Sequence, residues 1–327
     1  MTTPTRPPAN RFVAITRKAY NLLGFSKGYN FLYFCIFGGA LLGFCLARLP
    51  LIDINGYMCG GGPGGTLPGE CYYYVKSKVA EWGIRIHLIG VLPAGILAFF
   101  QFIPIIRYKA ILFHRINGYL SILLVLLGIA GALMIARHSV GGSLDVQAAI
   151  GLMGIVVVIE LGLAWWNIKR LRIDRHRAFM IRAWALLGAP ITTRLILFIA
   201  AQIITSMNMV YLVRPCAQIE YMLESTEMLV ELYSECASYA NGSMPEQQAI
   251  VEAGFNDGRP DQIGAALGGA FGMSIWLAMA LHAACAEIYL QCTPKEAVRL
   301  REVSHQRRLE AGYSTTEEDC SSAQFPQ

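Results

Sequence analysis

Five of the six histidines in this largely apolar chain are the first candidates for chemistry. His87 and His138 fall at one predicted level of a membrane and His114 and His176 at another, with His282 somewhat deeper. Two histidines on facing helices can bind a haem iron from both sides, so the pattern indicates haem b and a transmembrane redox protein. The fourth predicted span contains no histidine, however, and interfacial hydrogen bonding explains the same positions. No other metal site is predicted.

Ionisable side chains inside apolar segments form a second candidate site. Arg194 lies near the middle of the fifth predicted span, about 8 Å in depth from Glu160 in the fourth. The two side chains are predicted to form an ion pair, or else Arg194 binds the anionic group of a small lipophilic ligand. Gln101 and His282 would line that cavity, while Arg182 would extend toward lipid headgroups.

Three classes of function therefore remain open from these residues. Haem-based electron transfer is the leading hypothesis. The alternatives are a carrier or membrane-embedded tailoring enzyme for a lipophilic anion, and a non-catalytic membrane scaffold. Six spans are few for a carrier, although a homodimer would supply more helices.

Six apolar segments are long enough to position these residues in a bilayer. Only 15% of the 327 residues are charged, against about 25% in soluble domains. A spanning helix needs about 20 apolar residues. We predict an all-α protein with six transmembrane helices, and its net charge of +5, concentrated at membrane edges, requires no nucleic-acid partner. The segments are 30–48, 84–106, 117–138, 147–168, 178–205 and 264–291.

The distribution of basic residues predicts the orientation of the chain. Most lysines and arginines lie at 1–28, in the connections after the second and fourth spans, and at 293–327. The positive-inside rule places these parts, and so both termini, on the cytoplasmic side of the membrane. The membrane is predicted to be an endomembrane or the plasma membrane. The transmembrane domain is predicted at 29–292, with long outer connections at 50–83 and 206–262. The first segment does not resemble a cleaved signal peptide.

Four cysteines in the two outer connections predict two disulfides. Cys59 and Cys71 lie in the first connection, and Cys216 and Cys236 in the second. A continuous amphipathic helix between the last two would hold them about 30 Å apart and pair them with the first two. Local pairing would need a break in that helix. Asn241 begins an NGS glycosylation acceptor on the same side.

Two short basic turns have the same layout. Six residues separate Arg107 from His114-Arg115, and six residues separate Lys169 from His176-Arg177. This spacing predicts a four-helix core, spans two to five, built from two similar hairpins with spans one and six at its flanks.

The same stretches carry a family resemblance. "FHRINGY" at 113–119 and "RHRAFMIRAWAL" at 175–186, followed by Arg194, resemble the polytopic membrane proteins known as domain of unknown function 2306. "GECYYY" at 69–74 extends the resemblance to the fungal branch. Phe179 stands where many bacterial members have tryptophan. The resemblance implies a helical membrane fold and no established activity.

Overall fold

The computed structural model describes residues 10–60 and 66–313. Within them, six helices are long and apolar enough to cross a membrane, which confirms the predicted all-α, six-span class. The ends of the predicted segments at 1–28 and 293–327, and part of the connection 50–83, lie outside the described residues. The helices, numbered span one to span six, are Gly28–Ile52, Lys78–Gln101, Ile111–Ile135, Leu144–Lys169, Ile173–Met207 and Pro260–Gln291.

Short elements precede, connect and follow the spans. Span one contains a π-helical turn at Phe34–Gly38 and ends in a 3-10 turn at Leu49–Ile52. The strands Tyr211–Pro215 (β1) and Gln248–Glu252 (β2) pair antiparallel. The remaining short helices and helical turns are Arg11–Leu22, Ile54–Met58, Cys71–Lys76, Pro104–Lys109, Ser139–Gly141, Cys216–Leu223, Thr226–Leu232, Ser234–Cys236, Ala237–Ala240 and Pro294–Glu310.

The chain divides into two compact units. Within the described residues, unit 1 covers 10–60, 66–147 and 194–272, and unit 2 covers 148–193 and 273–313. Spans four, five and six are each divided between the units. Neither unit coincides with the predicted four-helix core of two similar hairpins, which is therefore not confirmed.

In unit 1, spans two and three approach closely because glycines remove side chains where the backbones meet. A Cβ added to Gly90 would lie 2.5 Å from the backbone nitrogen of Gly128. One added to Gly131 would lie 2.4 Å from the backbone nitrogen of His87. Small residues at such crossings are typical of membrane helices, whose association depends on van der Waals contact.

Gly90→Ala is expected to lower the free energy of unfolding by about 1–3 kcal/mol, because the added methyl group forces two backbones apart. Gly162→Ala is the matched control, since nothing lies within 4 Å of a Cβ added there. Thermal unfolding of the two variants in lipid nanodiscs measures the difference. Equal midpoints would show that the crossing of spans two and three is not close.

Both disulfides are local. Cys59 pairs with Cys71 and Cys216 with Cys236, with Cα–Cα distances of 5.6 and 5.7 Å. The predicted presence of two disulfides is thus confirmed, and the pairing that the sequence left open is settled in favour of bridges within each connection.

Of the two alternatives, the continuous helix between Cys216 and Cys236 is wrong. The helix Cys216–Leu223 ends at Glu224, which has a left-handed φ of 54°. Ser225 then starts Thr226–Leu232, because its side chain accepts a hydrogen bond from the backbone N–H of Met228. The chain changes direction there, and this turn brings the two cysteines together.

In unit 2, the helix Pro294–Glu310 packs against the start of span five through Ser304. The Ser304 hydroxyl accepts from the backbone N–H of Ile173 and donates to Asp174, each at 2.9 Å. Arg177 donates to the hydroxyl of Thr293 at 3.1 Å. A residue 131 positions away in sequence therefore caps span five.

Candidate functional site

A carboxylate from the first outer connection and an arginine from span five act on each other in unit 1. Glu70 precedes the helix Cys71–Lys76, which the first disulfide holds in place. The Tyr74 hydroxyl donates to Glu70 at 3.0 Å, and Tyr74 is only 1% exposed. Arg194 acts electrostatically on Glu70. It lies thirteen residues before the end of span five at Met207, about 20 Å along the helix.

A second arginine adds positive charge to this group. The guanidinium carbons of Arg194 and Arg48 lie 5.3 and 5.7 Å from the centre of the same ring, Phe44. Span one presents Phe44 and Arg48 together because they are four residues apart on its helix. Cation–π attraction stabilises each arginine, while the two like charges repel one another. We call Glu70, Tyr74, Arg194, Arg48 and Phe44 the Glu70 cluster.

Glu70 has the properties of a proton donor and acceptor. Burial raises its pKa, against the opposing effects of the Tyr74 hydroxyl, Arg194 and the backbone amides of Leu67 and Val140. Burial and the neighbouring carboxyl raise the pKa of Tyr74 well above its usual value, so Tyr74 stays a neutral donor. A carboxyl with a raised pKa inside a charged cluster is suited to general acid–base chemistry.

Glu70 also lines a small cavity in unit 1. Its volume of about 10 Å³ suits a group the size of a water molecule. Val140 borders it with φ 45° and ψ 48°, a left-handed conformation that a β-branched residue rarely adopts. Strained backbone of this kind is concentrated at functional sites.

Arg214 and Gln218 complete the polar lining of the cavity. The Arg214 side chain is 7% exposed, donates to the carbonyl of Gly264 at 3.3 Å and occupies the space beside Gly268. Gln218 donates to the carbonyl of Gly69 at 2.9 Å. Its buried Oε1 accepts no hydrogen bond from the described residues. A buried acceptor of this kind indicates a place for a small polar group.

The two histidines predicted at one level have different surroundings in unit 1. His87 donates from Nδ1 to the carbonyl of Gly128 at 2.8 Å, so the neutral form of its ring has Nε2 deprotonated, and Arg194 acts on it electrostatically. His138 follows the end of span three and stacks on Tyr73, with ring centres 4.5 Å apart. In unit 1 the structure thus places two of the predicted residues, His87 and Arg194, within electrostatic reach of each other.

Gln101 and His114 meet where spans two and three are connected. The Gln101 amide donates to the backbone carbonyl of His114 at 3.0 Å. The buried Asn117 side chain donates to the carbonyl of Leu97 at 2.9 Å. These bonds show what "FHRINGY" does in this fold: it attaches span three to span two.

His176 and His282, both in unit 2, form hydrogen bonds to backbone carbonyls. His176 donates from Nδ1 to Ala164 at 2.9 Å. His282 donates from Nδ1 to Ala185 at 2.6 Å, and its Nε2 accepts from the Thr192 hydroxyl at 2.8 Å. Both ring nitrogens of His282 are therefore occupied by protein partners.

Glu160 has its own charged neighbours in unit 2. Arg182 binds both carboxylate oxygens of Glu287, at 2.5 and 3.1 Å, and both residues act electrostatically on Glu160. The buried Oε2 of Glu160 accepts no hydrogen bond from the residues that the structure describes. Because Glu160 and Arg194 belong to different units, their predicted ion pair stays a prediction. Across 10–60 and 66–313, no group of three or more His, Cys, Asp or Glu residues is placed to bind a metal ion.

Sequence reasoning missed most of the Glu70 cluster and the cavity. Glu70 and Tyr74 were visible only as part of the "GECYYY" resemblance. Arg48 was visible only as the last residue of the first predicted span, and Arg214 only as a charge in the outer connection 206–262. A carboxylate directly before a cysteine and a run of three tyrosines was the available signal. No feature of the sequence around Gln218 indicated that it would line a cavity.

The spans and the buried ionic groups define an integral, multi-pass membrane protein. Residues 84–218 match the family model described as "Predicted membrane protein (DUF2306)", which confirms the resemblance. The matched range contains His87 and Arg194 but not Glu70 or Arg48.

The chain is also similar to a fungal protein over most of its length. It is 25% identical over 340 residues to the "Ava biosynthesis cluster protein G" of Aspergillus versicolor. The alignment covers 86% of this chain and 94% of the relative. No solved structure matches the chain at a significant level.

Proposed function

We propose that this chain is a membrane-embedded tailoring enzyme for a lipophilic, anionic small molecule. Arg194 and Arg48 bind the anionic group, and Glu70 exchanges a proton with the substrate. The observation that carries the proposal is the charge of the Glu70 cluster: two guanidinium groups lie beside one ring, and one of them, Arg194, acts electrostatically on the Glu70 carboxyl group. The fungal relative supports it, since its printed name assigns that protein to a biosynthesis cluster.

The position of the cluster accounts for each role. Arg194 lies within the apolar span five, where a charge–charge interaction is stronger than in water. A ligand that binds there needs an apolar body and an anionic group. The hydrogen bond from Tyr74 orients Glu70 for proton transfer.

Decanesulfonate, an alkyl anion that stays ionised at every working pH, tests the binding role. We expect submicellar decanesulfonate to raise the thermal-unfolding midpoint of the full chain in nanodiscs, and decanol to raise it less. Arg194→Gln should abolish the difference between the two probes. Arg85→Gln, which removes an arginine paired with Glu81, should retain it.

The same measurement can refute the proposal. If Arg194→Gln responds to decanesulfonate as the wild type does, the Glu70 cluster is not an anion site. Should Arg194→Gln fail to fold, Arg48→Gln replaces it, with a weakened response expected.

Glu70 should make anion binding depend on pH. Since the pKa of Glu70 is raised, its carboxyl becomes neutral at a higher pH than an ordinary carboxyl, and the cluster then becomes more positive. Decanesulfonate affinity should therefore increase as the pH falls through that pKa. Glu70→Gln should bind with the affinity of the protonated wild type at every pH, and His87→Asn separates any contribution from the nearby histidine.

A second candidate function is haem-based electron transfer, supported by the hydrogen bond of His87. A histidine whose Nδ1 donates to a carbonyl presents a deprotonated Nε2, the form that binds iron. Protein purified after haem-replete expression should then show a Soret band that His87→Ala removes. A colourless wild-type protein would eliminate this candidate.

We infer that both termini face the cytoplasm and that Asn241 faces the lumen or exterior. Asn241 is exposed, and the nearby disulfide Cys216–Cys236 suits an oxidising compartment. Expression in a eukaryotic cell should give a mass shift that a glycosidase removes and that Asn241→Gln lacks. Protease protection of the Asn241 segment provides a second measurement, and cleavage of that segment from the cytosol would reverse the inferred orientation.

A further inference from the structure

Unit 2 contains a basic groove where spans four and five are connected. Its volume is about 450 Å³. Three arginines line it together with two aromatic side chains, an amide and two smaller apolar residues: Arg172, Arg175, Arg182, Trp166, Phe179, Asn167, Leu163 and Ala178.

The charge of the groove is only partly neutralised. Arg182 is paired with Glu287 and lies 5.5 Å from the centre of the Phe179 ring. In the part of the chain that the structure describes, no carboxylate oxygen lies within 4.0 Å of a side-chain nitrogen of Arg172 or Arg175. The groove therefore presents two positive charges beside aromatic walls.

Local structure places those two arginines together. Leu171, with a left-handed φ of 59°, turns the chain out of span four. Span five begins two residues later, and Ser304 caps its first backbone N–H groups. Arg172 and Arg175 are three residues apart at this helix start, a spacing that puts two side chains on one face.

We propose that this groove binds a phosphate monoester group. Arginine side chains bind phosphate oxygens through paired hydrogen bonds, and two of them at one groove suit a dianion. The aromatic walls and the position at the end of two membrane spans favour a phosphate carried by a lipid, such as phosphatidic acid. A soluble phosphate ester has the same chemistry, and the experiment distinguishes the two sources. The groove shares no residue with the Glu70 cluster, and the two belong to different units of the chain.

Fluorescently labelled phosphatidic acid, added to the full-length protein in detergent, is the direct probe. We expect saturable binding by anisotropy, with competition by unlabelled phosphatidic acid and not by phosphatidylcholine. The double variant Arg172→Gln, Arg175→Gln should bind at least about tenfold more weakly, because it loses two charge-assisted contacts.

Arg107→Gln, Lys109→Gln is the matched control. It removes the same charge from the equivalent turn between spans two and three, where both residues are exposed. Normal binding by this control supports the groove. Equal weakening in both double variants would reduce the effect to net charge and overturn the proposal, as would normal binding by Arg172→Gln, Arg175→Gln. If that variant does not fold, the single Arg175→Gln substitution gives the same test. Competition by glycerol 3-phosphate as strong as that by phosphatidic acid would assign the groove to a soluble phosphate ester.

Discussion

Asp261→Ala is expected to lower the free energy of unfolding by about 3 kcal/mol, the cost of removing one partner of a buried charged pair. Asp261 is 0% exposed and accepts hydrogen bonds from the Tyr233 hydroxyl and the Arg259 guanidinium, both at 2.5 Å. The substitution leaves that hydroxyl and that charge without their acceptor. Because Asp261 lies in the first turn of span six, the outer connection would also lose its attachment to that span.

Asp257→Ala is the control for this prediction. Asp257 is exposed and lies in the same connection, so its removal should change the free energy of unfolding by less than about 0.5 kcal/mol. Chemical or thermal unfolding in nanodiscs compares the two variants. Equal stability would mean that the Asp261 carboxylate does not hold the connection to span six.

The double variant Cys216→Ser, Cys236→Ser should lose about 3 kcal/mol, mainly because the unfolded chain regains the freedom that a 20-residue closure removes. The bridge joins the end of β1 to the turn before Ala237–Ala240. Its loss should therefore expose the connection 208–259 to protease before the spans unfold.

Cys292→Ser provides the control for the disulfide, since Cys292 is an exposed free cysteine. It should match the wild type in both stability and protease resistance. A disulfide variant that resists protease like the wild type would contradict the structural role of Cys216–Cys236.

The spans were predictable because they depend on length and composition alone. A helix of about 20 apolar residues satisfies its own backbone hydrogen bonds in lipid, whatever surrounds it. The short elements between the spans depend on tertiary contacts. Glu224 shows this clearly, because nothing in the local spacing indicated that a glutamate would adopt a left-handed turn and break the expected helix.

The candidate site was less predictable for the same physical reason. Arg194 could be identified as a charge inside an apolar span, and the structure confirms that it lies within one. Its neighbour Glu70 comes from a connection more than 100 residues away in sequence, and the Cys59–Cys71 bridge holds the helix that follows it. Local periodicity carries no information on which loop carboxylate meets which span.

The positions of the histidines along the spans could be predicted from the sequence, but their roles depend on the hydrogen bonds that they form. Backbone carbonyls engage Nδ1 of His87, His176 and His282. This arrangement fastens helices to one another, and it also leaves a ring nitrogen suited to a metal where no second partner binds it. In His282, the Thr192 hydroxyl occupies this second nitrogen. The spacing of histidines in the sequence does not indicate which of them has a second partner.

The metabolites of strains that carry single substitutions test the central claim most directly. In the organism of origin, the native copy is replaced by Arg194→Gln, Glu70→Gln or Arg85→Gln, and the protein level in each strain is matched to the wild type. We expect Arg194→Gln and Glu70→Gln to accumulate the same lipophilic, anionic precursor as a deletion strain, while Arg85→Gln makes the normal product. A normal product from the Arg194→Gln strain would contradict the assignment of the Glu70 cluster as the site of chemistry.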